Sequence, residues 1–596
     1  MNWQLISVFV VPACIIFASA ALAAENESRK LDEIPLRSLE PAVLLPDGKE
    51  FKTWESPNKP KYSHTFYVDG QAAQASDENA GTRLKPFKTI NHAAQVLQPG
   101  ERVIIAAGIY RERVVPARGG SGPEQMISYE AAKGAKVIIK GSRVIAPKWT
   151  EDKEIAANGG AVWRANLESA WFSDSYNPFE IDNVTTEQFN RMGWAQPQQN
   201  NPVFRMPRGL VFQDGRRLQQ VVAVTDLSKA PGVYWVDRAN QMLFVRAFGD
   251  INPASAQWEI TTQETVFSPR ERNIGFIRVK GLTIEHAAGP WPFEQIGALS
   301  TMRGHHWIIE DNIIREVNGA GMDIGRDREV YPIGHHIVRR NHISDCGIVG
   351  ICGLGTGADG GEFGLLVENN FIERCGFHDA EQLHECGGIK LHFNNRCLIR
   401  RNLVVDTLHG PAIWIDAGNV WTRVSENIIL RSRGRGGLFL EVSVKPNLVD
   451  RNIIWDSSTY GILEADGRGQ TFANNLIGKC NVGIELGGRQ TNRVKGEDCG
   501  QHEVFNNVIV DCAQPILESL KQGEIPSMLA GNVTSGVSVD FDMERLRLSW
   551  RADGPPPAPR VLPLLTHDFL GTPVKTLTGP FAEWPLKKQR VNLKSK

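Results

Sequence analysis

An asparagine that opens a short apolar run returns nine times in the second half of this chain, at Asn312, Asn341, Asn370, Asn402, Asn427, Asn452, Asn475, Asn507 and Asn532. Successive copies lie 29, 29, 32, 25, 25, 23, 32 and 25 residues apart. A short period broken by irregular insertions marks a solenoid, whose units bury their apolar faces only against one another. Within each unit the apolar runs are short, β-branched and bounded by Gly, Asn or Asp, as in Trp307-Ile308-Ile309, Leu365-Leu366-Val367 and Ile428-Ile429-Leu430. Such runs read as strands rather than helices. Three strands per turn of the repeat predict an all-β chain, a right-handed parallel β-helix. The Asn is expected in the tight turn between two strands, itself in αL geometry, so that stacked turns form an asparagine ladder. An antiparallel sandwich would need nine matched units to arise by coincidence.

Asp416 lies 14 residues after Asn402, and Glu441 lies 14 after Asn427. Equal offsets place the two carboxylates at one height on neighbouring parallel strands, about 4.7–4.9 Å apart. Carboxyl groups about 5–5.5 Å apart serve retaining glycosidases as nucleophile and acid/base. Period two then sorts the faces. Ile389, Leu391, Ile413, Ile415, Leu438 and Leu440 are predicted to point into the core, and Lys390, His392, Trp414, Asp416, Phe439 and Glu441 outward on one strip. Counting from Asn452 adds Glu464 and Asp466 to that strip, whereas aligning on Gly461 shifts the unit by one residue. Trp414 and Phe439 are expected to be exposed sugar-stacking faces.

Lys and Arg number 66 and Asp and Glu 67, a net charge of −1 that gives no electrostatic case for nucleic acid or an anionic membrane. Residues 1–23 read as a signal peptide: an apolar run from Leu5 to Leu22 ends in Ala21-Leu22-Ala23, so export to the periplasm or the exterior is expected, with no stable membrane insertion. Residues 24–60 form a polar, Pro-rich extended lead-in, and 61–145 an N-terminal cap and the first coils, with a capping helix over Ile90–Leu97. The ladder is missing from 146–270, which reads as a small antiparallel β insertion domain. The β-helix proper spans 271–535, and a C-terminal tail, 536–596, is expected to run back along it. Cys346, Cys375, Cys480 and Cys512 each follow a ladder Asn by five residues. Buried thiols are the default reading, with a Cys346–Cys375 bridge as the alternative in an exported protein. Insertions around 326–333, 353–364 and 376–387 are expected to wall a cleft beside the strip. One of them carries His378, Asp379, Glu381, His384 and Glu385, but without a tight ligand spacing, so no metal site and no cofactor are assigned; calcium stays open as a structural ion.

Ala412-Ile413-Trp414-Ile415-Asp416 and Leu438-Phe439-Leu440-Glu441-Val442 resemble the nucleophile and acid/base segments of glycoside hydrolase family 120, the β-helical β-xylosidases. Similar too are the run from Ser300 to Glu310, which includes Arg303 and His305, the run Gly334-His335-His336-Ile337-Val338, and Glu385-Cys386-Gly387-Gly388-Ile389-Lys390-Leu391-His392. The resemblance covers roughly residues 65–535, with its specific motifs in 290–450. It implies Asp416 as nucleophile, Glu441 as acid/base, and Glu385, Lys390 and His392 as substrate contacts; Arg303, His305, Trp414 and Phe439 complete the candidate substrate-binding set. The chain departs from the family at Ala417-Gly418 and at Ser443-Val444-Lys445-Pro446, positions that would line the sugar sites. The expected activity is therefore retaining hydrolysis of β-xylosides or related plant or algal oligosaccharides, with an oligosaccharide or polysaccharide as partner and the oligomeric state left open. The alternatives are a β-helical polysaccharide lyase, with Lys390 as base and Asp416 and Glu441 on calcium, and a non-catalytic carbohydrate-binding solenoid.

Overall fold

In the computed structural model, which describes residues 42–56, 61–155, 160–172, 176–291, 295–326, 333–357, 360–380, 385–487, 499–520 and 523–594, short strands stack into three parallel sheets of 13, 11 and 9 strands. One coil runs through Leu398–Arg400 in the 13-stranded sheet, past Asn402 to Leu403–Val405 in the 11-stranded sheet, and on to Ile413–Asp416 in the nine-stranded sheet. The next coil lies on it in register, Leu398 beside Arg423, Leu403 beside Ile428 and Ile413 beside Leu438. The fold is the right-handed parallel β-helix that the spacing predicts. Its interior is one continuous stack in which Ile399, Val404, Ile413, Ile415, Ile429, Leu438 and Leu440 are all buried. Cys346, Cys375 and Cys480 join that stack as free thiols, and Cys512 packs against it half-buried.

The asparagine ladder runs unbroken from Asn312 to Asn532, each side-chain amide donating to the carbonyl oxygen of the next Asn side chain. Asn427 shows the pattern. Its Nδ2 donates to Asn452 Oδ1 at 2.9 Å and to the Ile399 carbonyl at 3.1 Å, while its Oδ1 accepts from the Asn402 amide and Nδ2, both at 3.0 Å. The αL residue, however, is the one before each Asn: Arg401, Glu426 and Arg451 have φ of 52°, 57° and 53°. The left-handed bend there turns the Asn side chain inward, where only a group with both donors and acceptors can close the corner without leaving buried backbone unpaired. Asn427→Ala leaves the Asn402 amide and Nδ2 without their acceptor and removes the side-chain donor to the Ile399 carbonyl, and is expected to cost on the order of 3 kcal/mol. The urea midpoint should fall accordingly; an unchanged midpoint would remove the ladder from the account of stability.

Both termini cover outer faces of the solenoid. Val43, Leu45 and Phe51 of the lead-in pack on Ile308, Ile337, Leu366 and Leu398 of the 13-stranded sheet, and Glu55 pairs with Arg339 at 2.8 Å. The tail does more than run back. It folds three antiparallel strands, Val537–Asp542, Arg547–Ala552 and Gln589–Asn592, whose Phe541, Leu548 and Trp550 cover Leu430, Trp455 and Val508 outside the 11-stranded sheet. At the other end, the helix Ile90–Val96 buries Ile90, Ala93 and Ala94 against the first coils. Its N-terminus is closed by Thr89, which accepts from the His92 amide.

The segment between the first coils and the main repeat holds antiparallel pairs, Val233–Asp237 with Met242–Arg246 and Trp258–Thr261 with Ser142–Ile145 among them. It also holds two short helices, Thr186–Arg191 and Pro202–Arg205, where only strands were read. A capping box between Thr185 and Gln188 starts the first of them. Phe189 and Phe204 of this helical part pack with Trp291, Ala320, Val349, Cys352 and Cys386, across one end of the nine-stranded sheet. Residues 1–41, the expected signal peptide included, lie outside the described residues. Among the described residues no helix is long and apolar enough to cross a membrane.

Candidate active site

Two columns of side chains run along the outer side of the nine-stranded sheet. One reads Asp323, Cys352, Lys390, Trp414, Phe439, Leu463; the other reads Leu354, His392, Asp416, Glu441, Ala465. Asp416 and Glu441 are thus register partners on adjacent parallel strands, roughly 4.8 Å apart at the backbone. Glu464 and Asp466 do not extend the strip. The coil follows the Gly461 alignment, so Leu463 and Ala465 take the outward places and Glu464 takes an inward one beside Leu440. A carboxylate inside the coil needs partners, and Glu464 Oε2 finds the Gly487 amide and His502 Nε2, each at 3.1 Å.

The aromatic pair also differs from expectation. Trp414 and Phe439 face outward from the coil yet are fully buried, stacked with ring centroids 5.1 Å apart and packed with Leu463, Ala465 and Tyr460. Neither offers a face to a sugar. Period two fixes the side of the sheet, while exposure depends on what the neighbouring turns lay over it.

The charged groups converge on Asp416. Lys390, without exposed surface, places Nζ 3.2 Å from Glu385 Oε2 and 3.3 Å from Asp416 Oδ2. His392 Nδ1 lies 3.4 Å from Asp416 Oδ2 and its Nε2 3.9 Å from Glu385 Oε2. Glu441 instead accepts the Trp414 indole N–H on Oε2 at 3.1 Å. Burial lifts the Glu385 carboxyl to about 7; Lys390 pulls it down and Asp416 pushes it up. Gln295, which no sequence signal singles out, donates to Glu385 Oε2 at 2.8 Å.

Asp323, in the same column two strands before Lys390, is likewise raised by burial to about 7, against a hydrogen bond from the Gly297 amide. A buried carboxyl raised in the folded state keeps a proton that the unfolded chain has released. Stability is therefore unpenalised below its ordinary 3.8 and falls as pH rises through about 7. Asp323→Asn is expected to flatten the decline in melting temperature between about pH 4 and about pH 7; a decline as steep as before would assign the proton elsewhere.

Arg303 and His305 sit apart from this cluster. They lie in the turn after Gly297–Ser300, a strand four places before Ile413–Asp416 in the sheet and so about 19 Å along the axis. His305 Nδ1 is 2.8 Å from His306 Nδ1 and its ring meets Phe276 edge-on. Arg303 is buried, and its carbonyl accepts from the Asn273 amide. Of the His/Asp/Glu loop, Glu381 and His384 lie outside the described residues, and His378 Nε2 donates to Asn318 Oδ1 at 3.0 Å. Among the described residues no group of three or more His, Cys, Asp or Glu is arranged to hold a metal ion. The loops expected to wall the cleft fall partly at 327–332, 358–359 and 381–384, outside the described residues.

The comparisons agree with this architecture. The family described as "Right handed beta helix region" matches residues 275–440, and "Periplasmic copper-binding protein (NosD)" matches 382–517. No curated protein matches the chain. A solved structure described as the complex of XylC with xylose is 23% identical, covering 89% of this chain and 100% of that one, with a TM-score of 0.67. That likeness establishes the fold. One described as a glycoside hydrolase is 12% identical over 79% and 97%, with a TM-score of 0.43. A family 136 lacto-N-biosidase from Eubacterium ramulus is 13% identical over 79% and 68%, with a TM-score of 0.40.

Proposed function

We propose that this chain is an exported retaining glycoside hydrolase, similar to the family 120 β-xylosidases, acting on β-xylosides or related oligosaccharides. The observation that carries the proposal is the register pairing of Asp416 with Glu441 on one outward column. One strand spacing leaves room for a nucleophile and an acid/base to share an anomeric centre, and too little for the intervening water that inversion requires. Asp416 attacks the anomeric carbon as Glu441 protonates the departing oxygen; Glu441 then takes a proton from water, which displaces Asp416. The Lys390 ammonium and His392 hold Asp416 in place. Bound xylose in the structure described for XylC supports a pentose as the first sugar to try.

The test is a panel of nitrophenyl glycosides beside uronate oligosaccharides. Release of nitrophenol from a xyloside or a related pentoside is expected. Absorbance from an unsaturated uronate product instead would make the chain a lyase, and no turnover of any substrate would leave a binding solenoid.

A further inference from the structure

We propose that Trp414 is the positioning residue of the acid/base: its indole N–H fixes Glu441 Oε2, so that Glu441 Oε1 is the atom that gives and takes the proton. The inference rests on the assignment of Glu441 as acid/base and adds to it the group that controls it.

Trp414 is held from both sides along its column. Lys390, on the strand before, sets its ammonium 3.3 Å from the indole centroid, and Phe439, on the strand after, stacks on it at 5.1 Å and 30°. A cation on one face and a ring on the other leave the indole plane no freedom to turn. With no exposed surface, Trp414 cannot be a platform for sugar. Its one polar group, the indole N–H, is a donor only, and it is spent on Glu441 Oε2 at 3.1 Å.

The consequence for the proton follows from how a carboxyl accepts. A carbonyl oxygen is the better acceptor and the hydroxyl oxygen of the acid the poorer, so a fixed donor at Oε2 puts the acid proton on Oε1. In glycosylation Oε1–H passes its proton to the glycosidic oxygen as the C1–O bond breaks and the bond from Asp416 to C1 forms. In deglycosylation Oε1 accepts a proton from water as the water oxygen bonds to C1 and the Asp416 ester bond breaks. Oε2 keeps the indole bond through both steps. The ammonium that faces Asp416 lies on the same indole, so its positive charge strengthens the N–H that Glu441 accepts. A bond to the charged form favours that form, which sets the pH at which the acid is spent.

Trp414→Phe tests this, because it keeps an aromatic ring for Lys390 and Phe439 and removes only the N–H. The alkaline limb of kcat/KM is expected to move up by about one pH unit. Turnover of an alkyl glycoside or oligosaccharide should fall roughly ten- to a hundred-fold, while glycosylation by a dinitrophenyl glycoside, which leaves without a proton, stays within a few-fold. An unshifted limb with equal losses on all substrates would reduce Trp414 to a packing residue and overturn the proposal. If Trp414→Phe does not fold, benzothienylalanine at the same position, with sulfur in place of the N–H, gives the same readout. Should Glu441→Ala leave hydrolysis untouched, the acid/base assignment itself falls, a result separate from an unshifted limb in a chain where Glu441 matters.

Discussion

Asp416→Ala is expected to lose hydrolysis of every glycoside, activated or not, by on the order of 10⁴-fold or more. Without the carboxylate there is no covalent intermediate, and a better leaving group does not replace a nucleophile. The loss should appear in kcat with little change in melting temperature, since removing one of the two carboxylates on Lys390 leaves the ammonium paired with Glu385 at 3.2 Å. Azide added to this variant is expected to give, from an activated glycoside, a glycosyl azide of inverted configuration, because it displaces the leaving group once from the face the carboxylate occupied; a glycosyl azide of retained configuration would exchange the roles of Asp416 and Glu441.

Glu441→Ala is expected to be selective where Asp416→Ala is not. An alkyl glycoside or an oligosaccharide needs a proton on its leaving oxygen and should lose roughly 10²–10⁴-fold. A dinitrophenyl glycoside departs unaided, so its first step survives and the glycosyl-enzyme accumulates as a burst. Azide should then restore turnover, because a small anion fits the space left by the carboxylate and attacks without a base. The glycosyl azide should keep the configuration of the substrate. Equal losses on both substrates, with no rescue, would remove Glu441 from proton transfer.

The placement of this pair was legible because the ladder pins every coil at the same corner. Asp416 and Glu441 share an offset from Asn402 and Asn427, and equal path length from a common corner brings them to one height in the sheet. The same count failed at Glu464 for a physical reason. Ile462 is ten residues after Asn452, where Ile413 and Leu438 are eleven after their ladder residues. A turn one residue shorter reverses every side chain that follows; Gly461, stacked under Gly437, was the trace of it. The burial of Trp414 and Phe439 had no local signature, because their cover comes from Lys390, Tyr460, Leu463 and Ala465 on other coils. The helices at 186–205 did have one, the Thr185 and Gln188 box, which the surrounding strand signals masked. Lys390 read as a sugar contact and stands instead between Glu385 and Asp416, a role that only three-dimensional proximity discloses.

Trapping the intermediate tests the double displacement most directly. The purified protein, incubated with a dinitrophenyl 2-deoxy-2-fluoro-xyloside, forms a glycosyl-enzyme whose second step the fluorine slows, and peptide mass spectrometry locates the sugar. A single pentosyl adduct on the peptide containing Asp416, absent from Asp416→Ala, is expected. An adduct on Glu385 or Glu441, or steady hydrolysis with inversion and no adduct at all, would contradict the assignment.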